Sequence, residues 1–412
     1  MSSERDPGSH ASVGRAQRTA LTVVLAIFAG SWAIVGVLLA PLAGGWRSIA
    51  SAVLLFTVFP LAVFLRSRTG DHYPGAAIRL CVFRPMWYAQ LLLIVCAMAG
   101  AVAALGGAPF GAAGAAGRIA IAGVSLVYLA LALAGYAGSR RLVVTQLAVT
   151  LPSLPRELDG LRIVQICDTH IGPHTSREQL ARVAAAVREA RPDMIAVAGD
   201  LIDDYARDVD LYAAAFGDLT APLGVFVIAG NHEVYAGWNE VRPRLEALRV
   251  TLLVNEGRVV QHRGVSLAIV GTGDPAAGHR AAPGLPAPDL EASLSSVPAG
   301  LFTIVLAHNP ALWPPLAAAG VPLTLSGHTH WGQLSLLRTG WSLANPFLEL
   351  AMGAYLRGSS LLYVHPGTGY WGVPFRVGAS AEVAILTLAR GEVAGISGAQ
   401  STDARTRGQT VR

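Results

Sequence analysis

The chain has few cysteines and few charged residues, and each shortage excludes a class of protein. Its three cysteines, Cys81, Cys96 and Cys167, provide neither an even set for disulfides nor the paired spacing of a thiolate metal site. Only 14% of the 412 residues are charged, whereas 53% are hydrophobic and the mean hydropathy is +0.48. That composition is too apolar for an ordinary soluble chain of this length, so we expect part of the protein to lie in lipid.

Acidic residues and arginine are missing from four long stretches that follow a short tail, residues 1–18. The stretches are residues 19–46, 48–65, 85–117 and 119–139. A membrane-spanning helix needs about 20 apolar residues, so the pattern predicts four transmembrane helices over residues 19–139. A cleaved signal peptide followed by buried core helices would explain the first stretch but not the other three.

Arginine supplies every positive charge in the lysine-free chain, and its distribution predicts the membrane topology. Residues 1–145 hold 11 arginines and three acidic residues, net +8, whereas the remainder holds 20 and 23, net −3. Of the loops between spans, two hold only Arg47 and Arg118, so the positive-inside bias predicts that both termini and everything after residue 140 are cytoplasmic. No basic stripe with interleaved aromatics occurs, so nucleic acid is not an expected partner. The arginine-rich segments carry Arg5, Arg15 and Arg18, then Arg66, Arg68, Arg79 and Arg84, then Arg140 and Arg141.

Beyond the apolar third, short apolar runs alternate with polar segments of helical length. This alternation is typical of a layered α/β domain. We expect a linker and first strand at residues 140–158, a catalytic domain over residues 159–395 and a disordered tail at residues 396–412. Ser176 is the predicted N-cap of an amphipathic helix in this domain.

Five apolar runs of this domain end in polar residues. RIVQIC precedes DTH, MIAVA precedes GDLIDD, GVFVIA precedes GNHE, FTIVLA precedes HN, and VPLTLS precedes GHTH. In open α/β sheets the loops at the carboxyl ends of strands converge on one crevice, where ligand-binding residues gather. The gathered oxygen and imidazole groups are enough for two divalent ions, which about 3.5 to 4 Å apart clamp a phosphate and generate hydroxide. The candidate ligands are Asp168, His170, Asp200, Asn231, His308, His328 and His330, with Asp200 as the candidate bridge.

These motifs, in this order, resemble the calcineurin-like metallophosphoesterases over about 250 residues. The segments GHTHWGQ and PGTGYWGVPFRVG look closest to the bacterial membrane-anchored branch of the YkuE and YaeI type. The resemblance implies a four-layer α/β/β/α sandwich attached to the N-terminal four-helix transmembrane region, and it implies an integral protein of the bacterial inner membrane. The matching blocks are Asp168-x-His170, Gly199-Asp200-x-x-Asp203, Gly230-Asn231-His232-Glu233, His308 and Gly327-His328-x-His330.

The resemblance also implies roles for the matched histidines, aspartates and asparagine. His232 would face the substrate and protonate or stabilise the leaving oxygen, and Asp203 would orient its ring. Two divalent ions, Mn, Fe or Zn, would be the cofactors. One ion would be held by Asp168, His170 and His330, the other by Asn231, His308 and His328, and both by Asp200.

Two positions depart from the family pattern. Asp204 stands where the Ser/Thr phosphoprotein phosphatases have a phosphate-binding arginine, which argues against that subfamily. Trp331 replaces a glycine common in this branch, and a bulky ring there would narrow the crevice. Taken singly, His308 could be a structural histidine and GNHE could be a turn, but chance does not explain matches at every strand end.

The expected function is hydrolysis of a phosphodiester, phosphomonoester or pyrophosphate by a membrane-anchored enzyme. Its substrate would be a phosphorylated small molecule or a lipid-linked compound. An alternative is a membrane sensor or scaffold that binds a phosphorylated ligand without turnover, which loss of His232 or of a metal ligand would favour. A transporter lacks support because the spans carry no ionisable residue.

The apolar segment of residues 341–358, between GHTHWGQ and PGTGYWG, permits two interpretations. It is either a core-covering helix or an interfacial lid that touches the bilayer and admits a lipid tail. With a lid, Arg357 and Arg376 would meet head-group phosphates, although solvated surface arginines are the more ordinary expectation. The remaining polar positions have no predicted role. His174, His262, His279 and His365 are expected at the surface or in loops, and Asp274 in a turn.

Overall fold

The computed structural model describes residues 7–68, 74–172, 175–278, 284–336 and 340–397. Contacts within the chain divide it into two compact units, Met1–Ala134 and Gly135–Arg412. The boundary falls inside the last long helix of the N-terminal region, so the final turn of that helix belongs to the second unit.

The first unit consists of apolar helices. Four helical stretches are long and apolar enough to cross a membrane, and the four helices predicted from the sequence are confirmed. Most of their large apolar side chains are exposed, as expected of helices surrounded by lipid. The α-helices are α1 (Pro7–Leu39), α2 (Trp46–Val53), α3 (Phe59–Arg68), α4 (Ala76–Ile78), α5 (Arg84–Gly107) and α6 (Ala113–Ser139), and π-helical turns at Leu54–Val58 and Arg79–Phe83 join α2 to α3 and α4 to α5.

The second unit alternates strands and helices. Its helices are α7 (Arg177–Glu189), α8 (Val209–Phe216), α9 (Asn231–Tyr235), α10 (Trp238–Glu246), α11 (Leu290–Ser295) and α12 (Trp313–Ala318). Its strands are β1 (Leu142–Leu151), β2 (Arg162–Ile166), β3 (Met194–Val197), β4 (Val225–Val227), β5 (Thr251–Leu252), β6 (Glu256–His262), β7 (Val265–Gly271), β8 (Phe302–Leu306), β9 (Leu323–Ser326), β10 (Ser335–Leu336), β11 (Trp341–Ser342), β12 (Gly353–Arg357), β13 (Ser360–Val364), β14 (Ala381–Arg390) and β15 (Gly395–Ser397).

Two mixed sheets carry most of these strands. The seven-stranded sheet has the order β15-β1-β14-β2-β3-β4-β5, and the six-stranded sheet has the order β12-β13-β9-β8-β7-β6. Strands β2, β3 and β4 are parallel, as are β7, β8 and β9. The parallel strands are short apolar runs, buried on both faces, which matches the pattern expected of central strands in such sheets.

Three apolar cores separate the layers. Between the sheets, Ile163 of β2, Ile304 of β8 and Leu325 of β9 belong to one buried cluster. On the outer face of the larger sheet, helices α7, α8 and α10 pack on strands β2 to β4. On the outer face of the smaller sheet, α11 and α12 pack on β7 and β8. The expected four-layer α/β/β/α sandwich is therefore confirmed.

Helix α7 begins as predicted, because the Ser176 side chain accepts a hydrogen bond from the Gln179 amide. Strand β1, expected as a connecting strand before the domain, instead pairs in parallel with β14 along all ten residues and is integral to the larger sheet. The core-helix interpretation of residues 341–358 is wrong, because the segment contains β11, turns and β12. The tail predicted to be disordered from residue 396 begins instead with the last two residues of β15, and from residue 398 onward it lies outside the described residues.

Candidate metal centre

The polar residues that follow five parallel strands meet at one edge of the sandwich. Asp168 and His170 follow β2, Asp200 follows β3, and Asn231 opens α9 after β4. The second sheet adds the loop after β8 and the loop after β9. The side chains brought together include all seven candidate ligands, Asp168, His170, Asp200, Asn231, His308, His328 and His330.

One group of side chains contains Asp168, His170 and His330. The two imidazoles point Nε2 at each other, 2.8 Å apart, and His330 Nε2 lies 3.4 Å from Asp168 Oδ1. All three residues are buried. Two imidazole nitrogens and a carboxylate oxygen thus face one small volume, and donor atoms of this kind suit a divalent transition metal ion.

A second group contains Asn231, His308 and His328. Asn231 Oδ1 lies 2.8 Å from His328 Nδ1 and 3.3 Å from His308 Nε2. Asp200 lies between the groups, because its Oδ2 atom is 3.6 Å from His170 Nε2 and 3.3 Å from His308 Nε2. The other carboxylate oxygen, Oδ1, accepts a hydrogen bond from the His232 amide. Asp200 Oδ2 is therefore placed where one atom can reach both groups.

The residues fit divalent cations. Within the described part of the chain, the buried Asp168 Oδ2 atom has no hydrogen-bond partner. Burying carboxylates and imidazoles so close together is costly unless a positive charge compensates for the lost hydration. Divalent ions would supply that charge, and the donor set of oxygen and nitrogen atoms without sulfur suits such ions.

The loops that carry the ligands have an unusual backbone. Positive φ is uncommon outside glycine and costs of the order of 1–3 kcal/mol where the conformation is sparsely populated, so its concentration here is typical of a functional site. Trp331 continues the pattern at φ 50°. The candidate ligands with positive φ are Asp168 (49°), His170 (41°), Asp200 (52°), His328 (71°) and His330 (49°).

Glycines allow the ligand loops to approach each other closely. A Cβ atom at Gly230 would lie 2.2 Å from Asp200 Oδ1, and one at Gly327 would lie 2.2 Å from Asp168 Oδ2. Both contacts are far shorter than a van der Waals separation. Any side chain at either position would therefore displace a candidate ligand.

His232 lies beside the two groups. Its Nδ1 atom is 2.5 Å from the backbone oxygen of Asp203 and 3.8 Å from the carboxylate atom Asp203 Oδ1. The same carboxylate oxygen is 3.7 Å from His170 Nδ1. Asp203 is thus close to His232, as the family pattern implies, but its main-chain oxygen makes the nearest contact with the ring.

Burial and neighbouring charges set the protonation of the histidines. Burial, together with the mutual repulsion of the imidazoles, lowers the pKa of His170 and of His330 well below the usual value, which keeps both rings neutral. For His232, burial alone would lower the pKa, but the carboxylates of Asp200 and Asp203 outweigh it and raise the pKa. His232 is consequently the ring of these three that holds a proton most readily.

Glu233, matched in the sequence only as the last residue of the block Gly230-Asn231-His232-Glu233, is a supporting residue. Its buried carboxylate accepts hydrogen bonds from the amides of Gly230 and of three residues in the β3 loop, at 2.7 to 3.2 Å. Glu233 thereby joins two ligand loops. Its position three residues after Gly230, where a helix begins, is the sequence signal for such a role. The amides in the β3 loop belong to Asp200, Leu201 and Ile202.

Arg376 is buried and is not the surface arginine expected from the sequence. Its guanidinium donates hydrogen bonds to the backbone oxygens of Pro366, Gly369 and Ala379, and its Nη2 atom lies 3.2 Å from His330 Nδ1. Because the Arg376 guanidinium is buried and makes these contacts, it is not placed to bind lipid head groups. Arg357, by contrast, is exposed and lies over the Trp313 ring.

His365, expected at the surface or in a loop without a strand end, is fully buried directly after β13. Asp274 forms a turn, as predicted, because its Oδ1 atom accepts a hydrogen bond from the Ala276 amide.

The Trp331 ring is buried and donates a hydrogen bond to the Val364 oxygen. Asp204 lies in one group with Asp203 and His232. Cys167 is a buried free thiol. His262 is half-buried on β6, whereas His174 and His279 lie outside the described residues.

The part of the chain that carries these residues resembles known proteins. The profile described as calcineurin-like phosphoesterase matches residues 161–332. A transmembrane protein with metallophosphoesterase domain from Bos taurus is 33% identical over 260 residues, covering 60% of this chain and 56% of that protein. The uncharacterized metallophosphoesterase YkuE of Bacillus subtilis is 32% identical over 247 residues, covering 57% of this chain and 81% of that protein. The match with the bovine relative thus leaves over two-fifths of its length uncovered.

Proposed function

Because the chain belongs to the calcineurin-like metallophosphoesterase family, we propose that it is a membrane-bound hydrolase of phosphoric esters with two divalent ions. The substrate is a phosphodiester, a phosphomonoester or a pyrophosphate. The catalytic unit faces the cytoplasm of a bacterial cell, a placement supported by the arginine-rich segments that flank alternate spans.

The position of Asp200 is the observation that carries the proposal. Its Oδ2 atom lies 3.3 Å from a ring nitrogen of the second group and 3.6 Å from one of the first. A carboxylate that bridges two ions must lie within reach of the ligands of both. Asp168, His170 and His330 would hold one ion, and Asn231, His308 and His328 the other. Two such ions, when bound, supply a water-derived nucleophile and neutralise charge on the phosphoryl oxygens.

The residues of the chain prepare the site before substrate binds. The His232 amide holds Asp200 Oδ1, which leaves Oδ2 free for the ions. Neutral His170 and His330 present ring nitrogens as ligands, since burial lowers the pKa of each. The short contact of His232 Nδ1 with the Asp203 oxygen fixes this ring with Nε2 available to the substrate.

His232 is the proposed general acid. The carboxylates near it raise its pKa despite burial, so a proton is available at Nε2 for the leaving oxygen. A sensor that binds phosphate without turnover would not require this residue. The presence of His232 beside a complete set of candidate ligands therefore favours hydrolysis over binding alone.

The metal-ligand assignment predicts that Asp200→Asn or His328→Ala abolishes metal-dependent hydrolysis of bis(p-nitrophenyl) phosphate, because each removes a bridge or a ligand. The full-length protein would be assayed in detergent, and its bound metal measured by elemental analysis. His262→Ala, a half-buried histidine on β6, is the matched control and should keep both metal and activity. A fully active Asp200→Asn protein would exclude the bridging role.

The general-acid assignment makes a separate prediction. His232→Ala should retain both ions and lose about 10²- to 10⁴-fold in turnover, the usual contribution of a positioned acid. The loss should shrink for esters with better leaving groups, which need less protonation. Loss of metal from the His232 variant would show that this residue is a ligand instead.

A further inference from the structure

An exposed apolar surface lies next to the ligand loop that follows β9. Phe347 is 80% exposed, Leu336 57% and Trp371 56%, and contiguous exposure of large apolar side chains marks interaction surfaces. We call this surface the apolar rim. Its members are Leu336, Trp341, Leu343, Phe347 and Trp371.

Backbone and side-chain contacts hold the rim together. Leu336 and Trp341 are opposite partners in the pairing of β10 with β11, and the Leu343 amide donates a hydrogen bond to the Leu334 oxygen. Gln333 connects the other side, because its amide group exchanges two hydrogen bonds with the backbone of Trp371. The rim is therefore one surface built from two loops.

The rim is directly joined to the metal centre. His330 and Gln333 begin and end a single short turn, so the residue that anchors Trp371 is three positions from a candidate ligand. Inside that turn, a Cβ atom at Gly332 would lie 2.5 Å from the Ala344 amide nitrogen. The loop that carries Leu343 and Phe347 thus packs tightly on the ligand loop.

The loop that carries Trp371 also contacts the end of an apolar helix. Within the second unit, the last turn of α6 receives a hydrogen bond of 2.9 Å from the Arg376 amide to the Gly135 oxygen. A Cβ atom at Gly138 would lie 2.0 Å from the Arg376 oxygen, so backbone packs against backbone. Residues 135–139, which belong to the second unit, continue directly from a candidate membrane span along the chain.

We propose that the apolar rim inserts into the lipid interface of the membrane that holds the spans, and that the substrate is a lipid phosphoester reaching the metal centre from that surface. This inference rests on the proposed hydrolase function. Tryptophan and phenylalanine are favoured at the boundary between head groups and acyl chains. Exposed Arg140 and Arg141 follow α6 directly and suit contact with anionic head groups.

Only part of the segment 341–358 belongs to this surface. Leu350 and Tyr355 pack against the buried cluster of Trp313, Leu362 and Val364, and Leu356 packs against the core between the sheets. The segment is therefore partly core and partly exposed. Substitutions that test the rim must avoid the packed residues, and Phe347 and Trp371 satisfy that condition.

Membrane insertion can be measured without any assay of activity. A nitrobenzoxadiazole label on Phe347→Cys, in full-length protein with Cys81→Ser, would be compared with the same label on Val393→Cys in phosphatidylcholine and phosphatidylglycerol vesicles. Val393 is 74% exposed and follows the far end of β14, so it is the matched control. We expect doxyl-labelled lipid to quench the label at 347 at least about twofold more than the label at 393. Iodide should quench the label at 393 more than the label at 347.

Two outcomes would overturn the insertion. One is quenching of the label at 347 by iodide but not by doxyl lipid. The other is energy transfer between rims of separately labelled chains that persists when the vesicles are diluted with lipid, which would assign the surface to a second copy of the chain.

The substrate class is tested by a split between two activities. Phe347→Ser with Trp371→Ser should leave the rate of bis(p-nitrophenyl) phosphate hydrolysis within about twofold of the rate of the unaltered protein. The same double variant should hydrolyse phosphatidic acid, phosphatidylglycerol or undecaprenyl diphosphate in vesicles at least about tenfold more slowly. Val393→Ser should change neither. Equal losses of both activities, or no lipid turnover by the unaltered protein, would exclude the lipid substrate. If the unaltered protein cleaves no ester at all, the hydrolase proposal fails, and the quenching result still decides the insertion.

Discussion

At the scale of single residues, the geometry of the candidate metal centre lowers the stability of the second unit. Five candidate ligands have positive φ, and several carboxylates and imidazoles are buried side by side. Residues keep such conformations only where contacts with the surrounding structure hold them in place. The glycines at 230 and 327 and the carboxylate of Glu233 provide that constraint, because they allow or fix the close approach of the loops.

His365 shows how burial away from the ligands makes stability depend on pH. Its Nδ1 atom accepts a hydrogen bond from the Gly367 amide, so the neutral ring fits the native structure and protonation at Nδ1 would break that bond. Burial, with the charge of Arg376, lowers the pKa of His365 to about 3. An unfolded histidine has a pKa of about 6.5, so the unfolded state binds more protons between these values.

The stability that neutral His365 contributes is therefore complete above about pH 6.5 and is lost as the pH falls towards 3, by up to about 4 kcal/mol. His365→Asn keeps an acceptor but cannot titrate, so its unfolding temperature should fall less steeply between pH 7 and pH 4. The slope would be measured in excess chelator to remove metal dissociation. An unchanged slope in His365→Asn would contradict the role given to burial.

At the scale of elements, Glu233 connects the ends of β3 and β4. Its two carboxylate oxygens accept four amide hydrogen bonds from the loops after these strands. Burial and the charge of Asp200 raise the pKa of Glu233 to about 7, so the carboxylate form dominates at pH 8. Hydrogen bonds to a buried charged group each contribute about 1.5–3 kcal/mol.

Glu233→Gln places an amide donor against backbone amides. The substitution should lower the free energy of unfolding by about 3 kcal/mol or more at pH 8. We expect a lower unfolding temperature and weaker metal binding, measured by thermal unfolding and by titration with Mn²⁺. Glu240→Gln changes an exposed carboxylate on α10 and serves as the control. If Glu233→Gln kept the metal affinity and stability of the unaltered protein, the two loops would not depend on this carboxylate for their approach.

At the scale of the whole molecule, the membrane topology decides which compartment supplies the substrate and the ions. The arginine asymmetry predicts that reporter fusions after residue 145 and at residue 412 report cytoplasm, and that one inserted at Gly111, in the turn before α6, reports the outside. Alkaline phosphatase and green fluorescent protein fusions would provide the measurement. Alkaline phosphatase activity of the fusion at residue 412 would show that the candidate metal centre lies on the periplasmic side of the membrane.

The amino-acid sequence by itself determined the four apolar helices, the parallel strands and the residues at their carboxyl ends. These features depend on local patterns: long uncharged runs, short β-branched runs and polar residues placed directly after them. Strand β1 was anticipated as a strand, but its full pairing with β14 was not, because its partner lies over 200 residues away. Local periodicity carries no information on such a pairing.

The tertiary structure decided what surrounds the ligands and what faces outward. Arg376 is buried beside His330, 46 residues away, His365 is also buried, and Glu233 binds amides more than 30 residues away. Within residues 341–358 the apolar side chains divide between core and surface, a choice that depends on which strand each turn packs against. Hydrophobic pattern indicates only that a side chain favours burial, whereas long-range packing determines which side chains obtain it.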